Sequence, residues 1–344
     1  VAILASLAFG QADSCNMTLV DEWTYITEEG EYGVGIDIVD NYLLFASSGN
    51  IFVFEISSSG ELTLLDSLVF PIPDFPPTFS QIVDIAHVEA FIYIQTANYY
   101  SIYEETNLLI YKIDNSGSLD SITEYSLDSC TGLIQISDTL CYLYGAGYGF
   151  YYILNISNAV SPSFITQGTF DGPETPAAFW GEYPYLYNGG YTYIDATPHA
   201  WECGYFNIMD VSDTESPFIS YSACSEFGTF YYPSHFDCMS KKDSLLYIGG
   251  RNRFIEVYDI ALDGSDANFV CSYGDSTLID YAHCLYIENN LMFTGCDTEV
   301  RLFDISDPTV VDVGGYYSQD GELEGATSKI YTDLCVKDSF IVAL

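Results

Sequence analysis

A short run of alternating apolar residues, followed by a turn, occurs six times along this chain and constrains its fold more than any other feature. Each run ends on an aliphatic position that we call a register residue, and the six are Ile56, Ile113, Ile156, Val211, Ile260 and Ile305. Successive register residues are 57, 43, 55, 49 and 45 positions apart. A period of about fifty residues exceeds a leucine-rich or ankyrin-type repeat and leaves room for four strands in each copy.

Four strand-like runs can be placed in each period. In the sixth copy they are 282–288, 291–295, 300–306 and 310–317. The runs are rich in Val, Ile, Tyr and Phe and are separated by Gly, Asn, Asp and Pro, which is typical of antiparallel meanders. Sustained helical periodicity is absent. We therefore predict an all-β fold, a seven-bladed β-propeller of four-stranded antiparallel blades that forms a single domain over residues 1–344.

The seventh blade in this prediction is shared between the two ends of the chain. Residues 329–344 match the first two strands of a blade, and Asn16–Tyr25 matches a fourth strand. Val1–Phe9 is apolar on both faces and is predicted to be the missing third strand, so that 329–344 and 1–25 together close the last blade. Such pairing in cis seals a monomer, whereas pairing in trans links subunits by strand addition.

A second interpretation of residues 1–12 stays open. The segment is also similar to the hydrophobic part of a secretory signal, with Gly10-Gln11-Ala12 as a small-x-small cleavage site, although a basic region is missing before it. It is therefore either a closing strand or the remnant of a signal peptide. No stretch reaches transmembrane length, so we predict no membrane insertion.

The turn after the third strand carries the most specific pattern in the repeat. It reads Asp210-Val-Ser-Asp213 in the fourth copy and Asp304-Ile-Ser-Asp-Pro308 in the sixth, and Tyr185–Gly189 and Leu245–Gly249 share a pattern upstream. These motifs resemble the LVIVD-repeat family of surface β-propellers. The resemblance covers most of residues 33–344 and is clear in copies three, four and six. It implies the fold and a surface location, and it implies no catalytic residues.

The charge of the chain excludes several classes of partner. Eight Lys and Arg stand against 49 Asp and Glu, a net charge of −41, so nucleic-acid binding is excluded and anionic membrane surfaces are disfavoured. Self-repulsion of this size needs screening by salt or divalent cations. With 31 Tyr and 22 Phe, an extracellular protein that lives with calcium or magnesium is a better interpretation than a halophilic one. No cofactor is predicted to be required, calcium is the possible exception, and its ligands are unknown.

Ten cysteines without a Cys-x-x-Cys spacing point to an oxidising compartment rather than to zinc. Cys284 and Cys296 flank a predicted hairpin symmetrically and are predicted to form a disulfide. Cys203 is predicted to pair with Cys224 or Cys238. Buried free thiols are the alternative.

Two N-glycosylation sequons begin at Asn16 and Asn155. They are compatible with secretion and, together with the cysteines and the charge, predict an extracellular or cell-surface glycoprotein.

Two aromatic insertions between the second and third strands of their copies are the candidate binding loops. The insertion at 191–204 carries Asp195, His199, Trp201 and Glu202, and the insertion at 97–106 carries Tyr99, Tyr100 and Tyr103. Loops held by a rigid scaffold are where binding usually occurs. The alternative for the first insertion is an elaborated loop fixed by a disulfide at Cys203.

Channel-facing histidines are a weaker candidate. His283 and His235 fall on first strands, which line a propeller channel. With Asp237 or Asp84 as a further ligand, they are candidates for a metal site. Strand residues satisfied by backbone partners are the favoured alternative, since no zinc-like histidine spacing occurs. Carboxylates are too numerous for a catalytic pair to be identified.

These observations predict a non-enzymatic extracellular scaffold for binding, adhesion or surface assembly, with a protein or glycan partner. Two alternatives are kept. One is a homo-oligomeric filament subunit linked by addition of the N-terminal strand, and the other is a glycan-active propeller hydrolase or lyase.

Overall fold

The computed structural model describes most of the repeat region and both ends of the chain. The described residues are 2–7, 17–23, 33–70, 80–98, 105–128, 132–137, 139–145, 150–169, 175–196, 199–225, 236–250, 255–273, 281–296, 299–307, 312–318, 333–337 and 340–343.

Strands account for nearly all the regular structure. In chain order they are β1 (Ala2–Leu7), β2 (Met17–Trp23), β3 (Gly33–Val39), β4 (Tyr42–Ser47), β5 (Asn50–Ile56), β6 (Leu62–Val69), β7 (Ser80–Val88), β8 (Phe91–Asn98), β9 (Glu105–Ile113), β10 (Leu119–Asp128), β11 (Gly132–Ser137), β12 (Leu140–Gly145), β13 (Phe150–Asn155), β14 (Ser163–Thr169), β15 (Thr175–Glu182), β16 (Tyr185–Ala196), β17 (His199–Asp210), β18 (Phe218–Cys224), β19 (Phe236–Lys242), β20 (Leu245–Gly250), β21 (Ile255–Ile260), β22 (Ala267–Tyr273), β23 (Ala282–Glu288), β24 (Leu291–Cys296), β25 (Glu299–Asp304), β26 (Asp312–Ser318), β27 (Leu334–Lys337) and β28 (Phe340–Ala343). Across the described ranges, no helix is long and apolar enough to cross a membrane.

Six sheets are each built from four consecutive antiparallel strands, in the order of the chain, from β3–β6 to β23–β26. The first strand of each sheet contacts the first strand of the next, so these strands form the inner wall and the fourth strands lie outside. The predicted all-β fold and the predicted β-propeller are confirmed.

The register residues hold every one of these six blades together in the same way. Each donates its backbone N–H to a carbonyl in the turn between the first and second strands of its own blade, at 2.7 to 2.9 Å. The six acceptors are the carbonyl oxygens of Asn41, Ala90, Thr139, Pro184, Ser244 and Asn290. The repeat read from the sequence is therefore a repeat of hydrogen bonds, which fixes where the third strand ends.

The Asp-x-Ser pattern is an Asx turn that starts directly before the register residue. Asp210 Oδ1 accepts from Ser212 N at 2.8 Å, and Asp304 Oδ1 accepts from Ser306 N at 2.9 Å. Asn155, in the equivalent position of the third blade, accepts from Ser157 N at 2.9 Å. The sequon at Asn155 thus coincides with the repeat motif, and a glycan attached at Nδ2 would leave Oδ1 free to make this bond.

The first, second and fifth blades use a different turn at this place. A glycine with positive φ closes each one: Gly60 at 88°, Gly117 at 80° and Gly264 at 63°. Only glycine adopts this conformation at no steric cost. In the second and fifth blades the Asx hydrogen bond starts after the register residue, at Asp114 and Asp263, and not directly before it.

A further sheet joins the two ends of the chain in the order β2-β1-β28-β27. Ile3 lies opposite Ala343 and Ser6 lies opposite Phe340, within one chain. The N-terminal strand β1 thus lies between β2 and the C-terminal strand β28. The first strand of this sheet, β27, contacts both β23 and β3.

The core lies between neighbouring sheets. A column of tyrosines on the second strands is almost completely buried there, with exposed fractions of 0% for Tyr93 and Tyr247 and 1% for Tyr142 and Tyr187. Each ring supplies a large apolar area between two blades, so the spacing of the sheets is set by aromatic side chains.

The predicted disulfide between Cys284 and Cys296 is not present in the structure. Glu288 lies opposite Leu291 across the two-residue turn, so Cys284 lies opposite Gly295, one residue away from Cys296. A β-bulge between Ala282 and Cys284 then places Cys296 opposite Ala282. The prediction placed the two cysteines one residue out of this register, and neighbouring residues on a strand point to opposite faces. Cys203, Cys224 and Cys238 are also free thiols, so neither predicted pairing of Cys203 is present as a disulfide.

Candidate functional site

The predicted binding loop at 191–204 is a β-hairpin rather than a loop. β16 and β17 have 12 residues each, the longest strands of the described chain, and they pair without interruption up to Ala196 and His199. Asp195 lies opposite Ala200, and Tyr193 lies opposite Glu202. The sequence predicts a loop here, whereas Tyr, Thr, Ile and Trp residues continue the two strands in the structure.

This hairpin extends past its own sheet. β15 pairs with β16 only as far as Tyr191, and β18 pairs with β17 only as far as Tyr205. Beyond these points the two long strands pair with each other, so the segment 192–202 projects from the end of the blade. Its backbone places Asp195, His199, Trp201 and Glu202 on this projection, as the sequence predicted for a binding element.

The second predicted insertion joins β8 to β9, and Tyr99, Tyr100 and Tyr103 lie outside the described residues. Both insertions connect the second strand of a blade to its third. In antiparallel blades that share one orientation, such connections lie at the same end of the propeller. The projecting hairpin and the ends of β8 and β9 that flank the second insertion therefore lie at one face.

A polar cluster lies at the base of the hairpin. Cys203 is buried on β17, and its Sγ lies 3.2 Å from the carbonyl oxygen of Gly204. Cys224, its diagonal neighbour on the adjacent strand, is exposed at the end of β18. Glu256 is fully buried in the next blade and accepts from the hydroxyl groups of Ser225 and Tyr258, the latter at 2.6 Å.

A second polar cluster joins the first strands of the first two blades. His87 Nδ1 and Asp37 Oδ2 are 2.6 Å apart. Burial acts to lower the pKa of His87, but the hydrogen bond and the charge of Asp37 outweigh it, so the net pKa is raised. The pair gives a partly buried imidazolium–carboxylate contact on the inner wall.

Asp333 lies beside this pair, directly before β27. Its Oδ2 accepts from Ile36 N and its Oδ1 from Leu334 N, both at 2.8 Å. The side chain keeps some exposed surface, but its carboxyl group is surrounded by protein, and burial raises the pKa of Asp333 to about 7 against the effect of these two donors. An ideal β-carbon position on Gly35 lies 3.5 Å from Asp333 Oδ2 and 3.9 Å from Asp84 Oδ1, so two carboxylates lie close to this glycine.

The structure does not assemble the predicted histidine–metal site. His283 is half-buried on β23, where its ring lies 6.4 Å from that of Tyr281, and His235 lies outside the described residues. Asp237 and Asp84 are on β19 and β7, two strands that do not neighbour each other along the inner wall. Among described residues, no group of three or more His, Cys, Asp or Glu is placed to hold a metal ion.

Solved structures resemble this chain in fold, whereas no protein-family model and no curated protein sequence matches it. It is similar to a putative 6-phosphogluconolactonase from Bacteroides fragilis NCTC 9343, with 9% identity, a TM-score of 0.66 and 98% of each chain covered. It is similar to the RRP9 WD40 repeats, with 11% identity, a TM-score of 0.58 and coverage of 90% of this chain and 84% of that one. It is also similar to a chain of the Mitotic Checkpoint Complex, with 9% identity, a TM-score of 0.59 and 98% of each chain covered. WD40 repeats form β-propellers, and at these identities the likeness shows the fold alone.

Proposed function

We propose that this chain is a non-enzymatic extracellular scaffold that binds a protein partner through the face carrying the β16–β17 hairpin. The observation that carries this proposal is the hairpin itself, which extends past β15 and β18 on an otherwise regular blade. Among the described residues this extension pairs only within its own two strands. Its aromatic and charged residues suit a contact surface.

Charge favours a basic partner. With a net charge of −41, the chain attracts positively charged surfaces and repels acidic ones. The similar fold of a chain in the Mitotic Checkpoint Complex supports a protein partner in general, because that propeller belongs to an assembly. The cysteine content, the sequons and the resemblance of the Asx turns to the LVIVD repeat support an extracellular location and membership of that family.

Shortening the hairpin tests the proposal. Residues 193–202 are replaced by Asn-Gly, so that Thr192 and Cys203, which are paired in the sheet, are joined by a two-residue turn. The parent and the variant are applied to arrays of basic peptides, acidic peptides and glycans. We expect the parent to bind basic peptides and the shortened variant to lose that binding while melting at the same temperature.

Two substitutions sharpen this experiment. Trp201→Ala on the hairpin should weaken binding, whereas Phe218→Ala removes an aromatic side chain that is 58% exposed on the outer strand of the same blade and should leave binding unchanged. Equal binding by the parent and the shortened variant would contradict the proposal. Retention or cleavage of glycans by the parent would favour the glycan-active alternative instead.

We further propose that the sheet β2-β1-β28-β27 is a seventh blade that closes the ring in cis. Its support is packing on both sides. Leu334 and Ile341 belong to one apolar cluster with Phe293 of the sixth blade, and Cys335 and Val342 belong to another with the first blade. The bond from Ile36 N to Asp333 adds a polar contact at the same junction.

Deletion of residues 1–10 tests this closure. Without β1, the strand β28 loses its partner and exposes an apolar edge, so we expect a large fall in melting temperature or aggregation. Light scattering of the parent separates the two modes of pairing, since a monomer supports closure in cis and a growing polymer supports the filament alternative. A deletion variant that melts and sizes like the parent would mean that the segment is the remnant of a signal peptide.

A further inference from the structure

Two cysteines at the base of the projecting hairpin are neighbours on adjacent strands but differ in their exposure to solvent. Of the eight cysteines within the described residues, Cys224 is the exposed one and Cys203 is buried. Tyr205 lies opposite Cys224 in the ladder, and Cys203 is two residues before Tyr205 on β17. Side chains two residues apart on a strand point to the same face, so Cys203 and Cys224 are diagonal neighbours.

The two thiols differ in acidity. The contact with Cys203 lowers the pKa of Cys224 to about 7, against the opposing effect of burial. The contact with Cys224, together with burial and the nearby charge of Glu256, raises the pKa of Cys203. Cys224 is therefore the more acidic thiol of the pair, and Cys203 stays protonated to higher pH. A stabilised, accessible thiolate beside a second thiol is the arrangement that reacts with disulfides.

We propose that Cys203 and Cys224 form a redox-active pair, in which exposed Cys224 reacts with a low-molecular-weight disulfide and buried Cys203 resolves the product into an intramolecular disulfide. This proposal goes beyond the scaffold function and does not depend on it.

The reaction balances as a two-electron exchange. The Cys224 thiolate attacks one sulfur of RS–SR, the S–S bond breaks, and RS⁻ leaves and is protonated by solvent. Cys203 then loses its proton and attacks Cys224 Sγ, the mixed disulfide breaks, and a second RS⁻ leaves and takes up that proton. Two protein thiols are oxidised and one small disulfide is reduced to two thiols.

Geometry favours the second step. Cys203 and Cys224 are diagonal neighbours on one face of adjacent strands, and the bond formed brings their sulfurs to about 2 Å. The new disulfide would tie β17 to β18 at the point where the hairpin leaves the sheet, so oxidation would stiffen the base of the proposed binding element.

The sequence allows a clean peptide test. A protease specific for glutamate cleaves after Glu202, Glu215 and Glu226, which gives the peptides 203–215 and 216–226 with one cysteine each. The full-length chain is reduced, treated with oxidised glutathione, alkylated and digested without reduction. We expect the two peptides to be linked, with a mass lower by two hydrogen atoms than the sum of the free thiol forms.

Variants separate the roles of the two thiols. In Cys203→Ser, the glutathione adduct should persist on 216–226, and in Cys224→Ser no adduct should form on 203–215. Cys271→Ser, at a half-buried thiol of the next blade, is the matched control and should leave the linkage unchanged. Unlinked peptides, a stable adduct on Cys224 of the parent, or a disulfide between two copies of the chain would each overturn the proposal.

A measurement on the parent keeps the test independent of how the variants fold. The rate of iodoacetamide alkylation is followed against pH for each cysteine peptide. The midpoint for Cys224 should lie well below that for Cys271, because burial raises the pKa of Cys271. Equal midpoints would contradict the proposed thiolate.

Discussion

Lys241 is the residue that most clearly joins two blades by its charge. Its Nζ lies 2.9 Å from Glu182 Oε2 and stands over the rings of Trp180 at 5.5 Å and Tyr187 at 6.0 Å. Only 12% of its side chain is exposed. In a chain of such negative charge, a lysine enclosed by two aromatic rings and a carboxylate contributes both cation–π and ionic attraction.

Replacing this lysine should destabilise the fold. Lys241→Met keeps the length of the side chain but removes the charge, and we expect a loss of about 1–2 kcal/mol in the free energy of unfolding. Lys242→Met removes the same charge one position along the strand, where Nζ bonds only the side chain of Asn290, and should cost about 0.5 kcal/mol or less. Denaturant titration of both variants measures the difference, and equal losses would show that net charge alone matters.

The pair His87–Asp37 should make stability depend on pH. The pKa of His87 is raised above 6.5 by Asp37, so its stabilising contribution is fully present below pH 6.5 and is lost as the pH rises through the raised value. The difference in unfolding free energy between the parent and His87→Gln should therefore be larger at about pH 6 than at about pH 9. Asp333 titrates in both proteins, so its contribution cancels in this difference. A difference in unfolding free energy that stays constant or grows with pH would contradict the raised pKa of His87.

At the scale of elements, two kinds of turn complete the same connection. Asx turns serve the third, fourth and sixth blades, and left-handed glycines serve the first, second and fifth. The glycine turns are the less tolerant of substitution. A β-carbon on Gly264 would lie 2.5 Å from Tyr185 Cε1 of the neighbouring blade, in addition to the strain of its φ of +63°.

Gly264→Ala should consequently lower stability by about 1–3 kcal/mol. Leu262→Ala, in the same turn, removes a side chain that is 97% exposed and should change stability by about 0.5 kcal/mol or less. Thermal unfolding compares the two. If Gly264→Ala has the same melting temperature as the parent, the turn accommodates a side chain by moving and does not fix the contact between blades.

The elements that the sequence predicts well are those formed for the same chemical reason in each copy of the repeat. The register residue and its Asx turn recur, and so they mark the end of the third strand without knowledge of the fold. The failures come from single events. A register one residue away from the predicted one separates Cys284 from Cys296. Continued pairing beyond Tyr191 makes a hairpin of the segment that was predicted to be a loop. The pair His87–Asp37 joins two first strands and has no local motif, so only the packing of one blade on the next reveals it.

For the molecule as a whole, negative charge is the dominant electrostatic feature. A net charge of −41 opposes compaction unless counterions screen it, so the melting temperature should rise with sodium chloride. At constant ionic strength, millimolar calcium should raise it further. A chelator that changes neither the melting temperature nor the particle size at moderate salt would contradict a specific role of calcium and leave only general screening.

The contact of Ile3 with Ala343 has a consequence for biosynthesis, because it joins positions about 340 residues apart. Six blades need only neighbours in the chain and can fold as they leave the ribosome, but the sheet that contains β1 cannot form until Ala343 has been synthesised. Through that interval the apolar strand β1 is not yet paired with β28. Translation speed and chaperone supply should therefore affect the yield of folded protein.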